Sequence, residues 1–387
     1  MKYYLIAGEA SGDLHGSNLM KGLYAQDPDA DCRFWGGGKM DAVFRAHQTG
    51  TGLVHDYRDG AVMGFFELIG KSRTLLGNIR RCKEDILAWK PDAVILIDYP
   101  GFNFRIAGFA HKRGFRVFYY IAPKVWASRE RRVRKLKAYV DRLFIIFPFE
   151  KPYFERKGVP FTYAGNPLVD AVDGSPALAE TRTDFLARTG LPDKPYIALL
   201  AGSRTNEIKT MMPKLIGFMK QFKSIPEYSD YHFVIAASPT RNDADFAPYL
   251  TGCDLPVSVL SGETYAVLRH AEAAVINSGT ASLEAVLIGT PQVVCYGIAS
   301  RLSYYLGRQI IRVPFISLGN LILGRAAFRE LIQDYFTPDN VTAEIRRILE
   351  DRAYRARMLA DYAEIRGKMG GTGASAAVAQ AMIEALD

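Results

Sequence analysis

The chain has 387 residues, of which 49% are hydrophobic, 12% aromatic and 23% charged, and its formal net charge is +8. This length exceeds one ordinary core and predicts two domains, while the apolar content excludes intrinsic disorder and no apolar run reaches the roughly 18 residues of a membrane span. The four cysteines lie far apart, which argues against a disulfide scaffold or a zinc site and favours a reducing cytoplasm.

The first residues, 1–7, form an apolar segment that is too short for a signal peptide and runs into a glycine turn, so we interpret them as a strand. Short β-rich segments then alternate with helical periodicity, as in parallel sheets flanked by helices. The predicted strands are 3–7, 93–97, 116–121 and 143–147 in the first half, and 196–201, 232–237, 273–276 and 292–296 in the second.

The predicted fold class is therefore α/β, with two Rossmann-like domains and a cleft between them. The first domain spans residues 1–167 and the second 168–364. Two prolines and a glycine in 160–167, followed by the polar segment 173–183, predict a hinge. The last helical stretch breaks at residues 370–373, and we expect its final part, about 365–387, to cross back to the first domain.

The first strand is followed by the turn Gly8-Glu-Ala-Ser-Gly-Asp13, ahead of a helix predicted to begin near Leu14. Its glycines allow a tight turn close to a ligand. Glu9, Ser11 and Asp13 are candidates for binding sugar hydroxyls, and the alternative for Asp13 is that it only caps the helix.

An unusually apolar stretch follows within residues 62–76, and it is a candidate for holding acyl chains or entering a membrane interface. Ordinary core packing is the alternative. The residues concerned are Met63, Phe65, Phe66, Leu68, Ile69, Leu75 and Leu76.

Asp98 directly follows the predicted buried strand 93–97, so its carboxylate is expected at the carboxyl edge of a sheet. Partly desolvated there, it can act as a general base on a substrate hydroxyl. The alternative is an aspartate that accepts backbone N–H bonds in a Tyr-Pro-Gly turn.

A dense basic run predicts an anionic partner, through Arg129, Arg131, Arg132, Arg134, Lys135 and Lys137. Nucleic acid is not favoured, because the chain has no zinc-finger spacing, RNP motif or basic zipper. The apolar stretches elsewhere favour an anionic phospholipid surface, and the alternative is a solvated helix face.

Two glycine turns in the second half follow predicted strands and point to a nucleotide diphosphate. The first is Gly202-Ser203-Arg204, whose guanidinium can hold a diphosphate with two hydrogen bonds. The second is Ser278-Gly279-Thr280, at a helix start where backbone N–H groups favour phosphate, with Glu284 one turn further on for ribose hydroxyls. Each turn alone also fits an ordinary capped βα connection.

Taken together, these motifs resemble the lipid-A-disaccharide synthase family of inverting GT-B glycosyltransferases. The matching segments span nearly the whole chain: Gly8–Asp13, 62–64, Asp98 with Phe102-Asn103, Val125-Trp126-Ala127, Pro148-Phe149-Glu150, Gly202–Arg204, Ser278–Ala281 with Leu283-Glu284, and 317–320 with Gly324-Arg325. Three positions depart from the forms usual in the family: Lys124, Asn166 and Ala201.

The resemblance implies condensation of UDP-2,3-diacylglucosamine with 2,3-diacylglucosamine 1-phosphate (lipid X), giving a β-1,6-linked disaccharide and UDP, without a metal or other cofactor. It implies that Asp98 removes the proton of the acceptor's 6-hydroxyl, that Arg204 and the turn at Ser278 stabilise the departing diphosphate, and that Asn320 helps to hold the donor. An interfacial enzyme on the inner face of a Gram-negative inner membrane is expected. Two alternatives stay open: a UDP-sugar epimerase of the same fold, and a non-catalytic protein that binds sugar nucleotide or lipid.

Overall fold

The computed structural model describes residues 1–60, 67–127, 129–297 and 313–386. The chain forms two compact units: Met1–Ala171 with Met369–Asp387, and Val172–Lys368. The sequence places the corresponding limits after residues 167 and 364. Within the described ranges, none of the helices combines the length and the apolar character needed to cross a membrane.

The first unit is built on a seven-stranded parallel sheet with the order β3-β2-β1-β4-β5-β6-β7. Its central strands are almost wholly buried, as expected for a sheet with helices on both faces. The strands are β1 Lys2–Ala7, β2 Asp31–Gly36, β3 Leu53–Asp56, β4 Ala93–Ile97, β5 Arg116–Tyr120, β6 Arg142–Ile145 and β7 Thr162–Tyr163.

The helices of the first unit include the last helix of the chain, which packs on α1. The Gln26 side chain donates to the Ala376 carbonyl (2.8 Å), and a Cβ at Gly22 would lie 3.0 Å from that of Ala379. The predicted return of the C-terminal helix is confirmed. The helices are α1 Ala10–Gln26, α2 Gly38–His47, α3 Glu67–Trp89, α4 Pro100–Lys112, α5 Val133–Tyr139, α6 Glu150–Arg156, α7 Pro167–Asp173, which runs across the unit limit, and α16 Ala374–Ile383.

The second unit contains a six-stranded parallel sheet with the order β10-β9-β8-β11-β12-β13. The strands are β8 Tyr196–Leu200, β9 His232–Ala237, β10 Val257–Ser261, β11 Ala273–Asn277, β12 Gln292–Tyr296 and β13 Glu330–Ile332. The helices are α8 Arg182–Thr189, α9 Thr205–Lys223, α10 Asp243–Leu250, α11 Thr264–His270, α12 Thr280–Ile288, α13 Leu318–Leu323, α14 Pro338–Glu350 and α15 Arg352–Met369.

Both sheets reverse their winding direction beside their first strand. In the first sheet β1 lies between β2 and β4, and in the second β8 lies between β9 and β11. Ligands of open α/β sheets bind at the carboxyl ends of the strands where the direction reverses. The turns after β1, β4, β8 and β11 are therefore the places to look for function.

Two sequence predictions need adjustment. The unit limit after Ala171 lies between the segments 160–167 and 173–183 that the sequence predicts as a hinge, but β7 occupies part of the first segment and pairs with β6. The helix predicted from Leu14 begins at Ala10, so Ser11 and Asp13 lie in its first turn rather than in a loop.

Candidate active-site edges of the two sheets

Asp98 lies at the reversal point of the first sheet, immediately after β4, in a strained backbone conformation. Both Asp98 (φ 41°) and Tyr99 (φ 46°) are in the left-handed region, and α4 begins at the next residue. Consecutive non-glycine residues in this region are costly and persist only where the surroundings hold them. Strain of this kind concentrates at functional sites.

Main-chain hydrogen bonds hold Asp98 on both sides. Its N–H donates to the Tyr120 carbonyl (3.1 Å), and its own carbonyl accepts from the Asn103 amide (2.8 Å) and the Tyr119 hydroxyl (2.7 Å). Burial raises the pKa of Tyr119, which keeps this hydroxyl protonated as a donor. The backbone of Asp98 is thus fixed, while its side chain is only half-buried. Sequence reasoning did not identify Tyr119.

The turn after β1 packs directly against the turn that carries Asp98. A Cβ at Gly8 would lie 2.4 Å from ring atoms of Tyr99, so only glycine fits there. Glu9, the residue before α1, and Ser11 are exposed at this edge. The structure therefore brings Glu9 and Ser11 to the edge that carries Asp98, where their sugar-binding role stays a prediction.

Asp13 is occupied with a structural task. It is buried, and its carboxylate accepts the N–H groups of Gly37 (2.8 Å), Lys39 (3.1 Å) and Met40 (3.1 Å) at the start of α2. These donors are ones that a helix start leaves without internal partners. Asp13 caps α2 rather than its own helix α1, and all three bonds turn the carboxylate away from a sugar-binding role.

In the second unit, the turns after β8 and β11 lie side by side. Gly202 has φ 102°, and a Cβ there would lie 2.5 Å from Oε2 of Glu207 and 2.9 Å from Nδ2 of Asn277, the last residue of β11. Glu207 accepts the N–H groups of Ser203 (2.9 Å) and Arg204 (3.2 Å), which fixes the turn. The Arg204 side chain is 66% exposed, with Nη1 3.3 Å from Oε1 of Glu207.

Arg241, which the sequence analysis did not single out, supports this turn from the neighbouring strand connection. Its guanidinium donates to the Ser203 carbonyl (2.8 Å), to the Thr205 hydroxyl (3.1 Å) and to Asp245 (2.9 Å). The side chain is only 20% exposed. Arg241 therefore positions the main chain of the turn, whereas Arg204 projects from it.

Ser278 and Gly279 lead into α12, whose first residue is Thr280, so the predicted strand, turn and helix start are all present. The Ser278 N–H donates to the Cys295 carbonyl (2.8 Å), which anchors the turn to β12. Glu284, one turn into the helix, is half-buried and accepts from the Tyr265 hydroxyl (3.0 Å).

Asn320 lies fully buried and makes structural bonds, so it does not present its amide to a ligand. Its oxygen accepts from Ala327 N (2.8 Å), and its nitrogen donates to the Phe328 carbonyl (3.1 Å) and to Glu330 (2.9 Å). This corrects the expectation that Asn320 itself holds the donor.

The network around Asn320 reaches the turn after β11 through the main chain. Glu330 also accepts the N–H groups of Ile316 and Ser317 (both 3.0 Å), and the Ile316 carbonyl lies 3.4 Å from the Ser278 hydroxyl. Asn320 and Glu330 thus shape the segment beside Ser278, and sequence reasoning missed Glu330.

The basic segment forms a short helical surface on the first unit. Its apolar side is buried through Val133 and Leu136, so the basic side chains lie on the other faces of the helix. Arg132 is half-buried, and its guanidinium and the Lys135 amine lie 5.8 and 5.9 Å from the centre of the Phe104 ring. The exposed members of the segment are Arg129, Arg131, Arg134, Lys135 and Lys137.

Most of the predicted acyl-binding stretch falls outside what can be described. Met63, Phe65 and Phe66 lie outside the described residues, as do the side chains of Leu68 and Ile69. Of the remaining two residues, Leu75 packs partly against the core, whereas Leu76 is 61% exposed. Leu76 is the described residue that fits an apolar contact surface.

Comparison with known families and sequences gives a consistent match over nearly the whole chain. Residues 3–382 match the model of the lipid-A-disaccharide synthetase family. The chain is 38% identical over 383 residues to the lipid-A-disaccharide synthase of Geobacter metallireducens, covering 99% of this chain and 96% of that protein. It is 37% identical to that of Myxococcus xanthus, covering 99% and 97%.

Solved structures share the fold at much lower identity. The Methanocaldococcus jannaschii UDP-GlcNAc 2-epimerase in complex with UDP-GlcNAc and UDP has a TM-score of 0.69 at 12% identity, covering 99% of this chain and all of that one. The glycotransferase of kitacinnamycin has a TM-score of 0.60 at 17% identity, covering 100% and 98%. The predicted GT-B architecture of two Rossmann-like domains is confirmed.

Proposed function

This chain belongs to the lipid-A-disaccharide synthetase family, and on that premise we propose that it transfers 2,3-diacylglucosamine from its UDP-linked form to lipid X. The products are the β-1,6-linked disaccharide 1-phosphate and UDP. The observation that carries the proposal is the match over residues 3–382. The reaction makes the chain an inverting hexosyltransferase.

Asp98 is the general base of this reaction. It removes the proton of the acceptor's 6-hydroxyl as that oxygen attacks the anomeric carbon of the donor from the face opposite UDP. The side chain of Asp98 is half-buried, and Asn103 and Tyr119 fix its main chain. This supports the role, because a general base must be held within hydrogen-bonding distance of the proton that it removes. Glu9 and Ser11, at the same edge, bind hydroxyls of the acceptor.

The donor's diphosphate is bound at the carboxyl edge of the second sheet. Arg204 and the N–H groups at Ser278–Thr280 stabilise the negative charge that grows on UDP as the bond breaks. The exposed guanidinium of Arg204 and the adjoining start of α12 support this assignment. Glu284 accepts from the ribose hydroxyls, and no metal or other cofactor takes part.

Both substrates are amphiphiles, so we place the enzyme at the inner face of the inner membrane of a Gram-negative bacterium. The exposed cations from Arg129 to Lys135 support attraction to anionic phospholipid. The apolar stretch between Met63 and Leu76 receives acyl chains or enters the interface.

An assay of the purified protein with both lipids tests the function. Disaccharide and UDP should appear in equal amounts, and only when UDP-2,3-diacylglucosamine and lipid X are both present. Conversion of the donor alone to its C2 epimer would show that the protein is an epimerase and not a glycosyltransferase. That alternative is supported by similarity of fold at 12–15% identity. Binding of both lipids without turnover would instead indicate a non-catalytic protein.

A further inference from the structure

The loop that follows β5 lies beside Asp98 and has no part in the mechanism given above. The last pairs of the β4–β5 ladder include Ile97 with Tyr120, so the residues after both strands emerge together at one edge. Ile121 has φ 63°, an unusual conformation for a β-branched residue, and it turns the chain sharply at that edge. The loop continues through Lys124 and Trp126.

Trp126 is held in one orientation by two contacts. Its indole N–H donates to Oε1 of Glu150 (3.1 Å), and its ring packs edge-on against Phe149, with ring centres 4.8 Å apart and planes at 83°. Both aromatic side chains are only half-buried. Trp126 therefore presents part of a fixed ring at the carboxyl edge of the sheet.

Glu150 ties this loop to the end of the next strand. Its second oxygen accepts the N–H groups of Ile146 (3.1 Å) and Phe147 (3.0 Å), directly after β6. The side chain is 1% exposed. A carboxyl group buried this deeply is unfavourable unless its hydrogen bonds are satisfied. One side chain thus joins the connections that follow two neighbouring strands.

We propose that Trp126 forms the acceptor-sugar subsite, with its ring packed against the glucosamine of lipid X, and that Glu150 is the positioning residue that holds the ring there. The proposal rests on the proposed function, because it names the acceptor of that reaction. The acceptor is favoured over the donor because β5 adjoins β4, which carries the base that acts on the acceptor. The exposed Lys124 on the same loop adds a positive charge, which suits an acceptor that carries a phosphate.

The test measures separate KM values for the two lipid substrates in non-ionic detergent micelles. Trp126→Ala should raise the KM for lipid X about ten-fold, while the KM for UDP-2,3-diacylglucosamine and kcat stay within about two-fold. Trp126→Phe, which keeps a ring but cannot donate to Glu150, should have a KM for lipid X between those of the wild type and Trp126→Ala. The matched control is Trp89→Ala, another half-buried tryptophan of the same unit, which contacts Lys2 at the opposite end of the sheet.

Glu150 variants separate positioning from simple stability. Glu150→Ala should reproduce the rise in the KM for lipid X, whereas Glu150→Gln, which keeps one acceptor oxygen where the carboxylate uses two, should give a smaller rise. The double variant Trp126→Ala/Glu150→Ala should be no worse than Trp126→Ala alone, because the two act as one unit. If Glu150→Ala does not fold, the two Trp126 variants decide the question.

Three results would overturn the subsite: an unchanged KM for lipid X in Trp126→Ala, a change confined to the donor's KM or to kcat, or a loss of binding to anionic vesicles with unchanged kinetics in micelles. Calorimetric titration with lipid X separates this failure from failure of the proposed function. If lipid X binds tightly, the binding depends on Trp126 and no disaccharide forms, the subsite is supported and the proposed glycosyl transfer is contradicted.

Discussion

The two sheets have the same strand order around their first strands, yet their carboxyl edges are built from different residues. The first edge carries an aspartate in a left-handed backbone, and the N–H and C=O of this residue are both hydrogen-bonded. The second edge carries a glycine with positive φ, an exposed arginine and the start of a helix. The topology fixes where each edge lies, and the residues at that place decide its chemistry.

The difference suggests a division of the reaction. A fixed half-buried carboxylate suits removal of a proton, whereas backbone N–H groups and a guanidinium suit a diphosphate. If so, substitutions at the first edge should change the rate of the chemical step, and substitutions at the second edge should change the affinity for the nucleotide.

The largest effect is expected for Asp98→Asn. An amide cannot take up the acceptor's proton, so kcat should fall by about 10²–10⁴-fold, while the affinity for UDP, measured by calorimetry, should stay within about two-fold. The control is Asp92→Asn, an exposed aspartate just before the same strand at its other end. Near-normal turnover by Asp98→Asn in folded protein would show that the base is elsewhere. Weaker UDP binding by this variant would show that the first edge also contributes to nucleotide affinity, against the division proposed above.

The second edge can be tested at Gly202 with a control of the same backbone type. Gly202→Ala combines strain at φ 102° with a clash against Glu207 and Asn277, whereas Gly262 after β10 has φ 77° and open space around its Cα. Both substitutions carry the strain of positive φ, about 1 kcal/mol. We expect Gly202→Ala to weaken UDP binding about 30-fold, from about 2 kcal/mol of lost interaction, and Gly262→Ala to change it less than three-fold. Equal losses would mean that strain alone explains the effect.

The sequence predicts those strands and turns of both edges that a short segment of the chain identifies by itself. Apolar β-rich runs locate β1, β4, β8 and β11, and the glycine turns or the acid that follows them locate Asp98, Gly202 and Ser278. Strands without such a run were missed, as in β2, where Asp31 and Arg33 interrupt the pattern. The start of α1 was misplaced because Glu9 makes no side-chain cap.

Roles that depend on distant partners could not be predicted. Asp13 bonds to α2 more than twenty residues away, and Asn320 and Glu330 meet only because α13 packs beside β13. The sequence shows a polar residue in a motif but not whether its hydrogen bonds are already used. This is why Asp13 and Asn320 were assigned to ligands and Arg241 and Tyr119 were not considered.

At the first edge, Asp98 is assigned to chemistry and Glu150 to positioning. The pH dependence of stability tests the positioning role of Glu150. Burial raises the pKa of Glu150 from 4.5 to about 7, against the opposing effect of its N–H donors. Between pH 4.5 and 7, Glu150 binds a proton in the native state and releases it in the unfolded chain. The contribution of Glu150 to the free energy of unfolding is therefore fully present below about pH 4.5 and is lost as pH rises through 7.

Chemical denaturation of the wild type and of Glu150→Gln between pH 5 and 7.5 measures this contribution. The wild type should lose roughly 2 kcal/mol relative to the variant over that window. The comparison isolates Glu150, because the other groups titrate alike in both proteins. A relative gain with rising pH would mean that the three N–H donors outweigh desolvation. Glu150 would then be an ionised anchor, and the loop of Trp126 would be held equally well at every pH above 5.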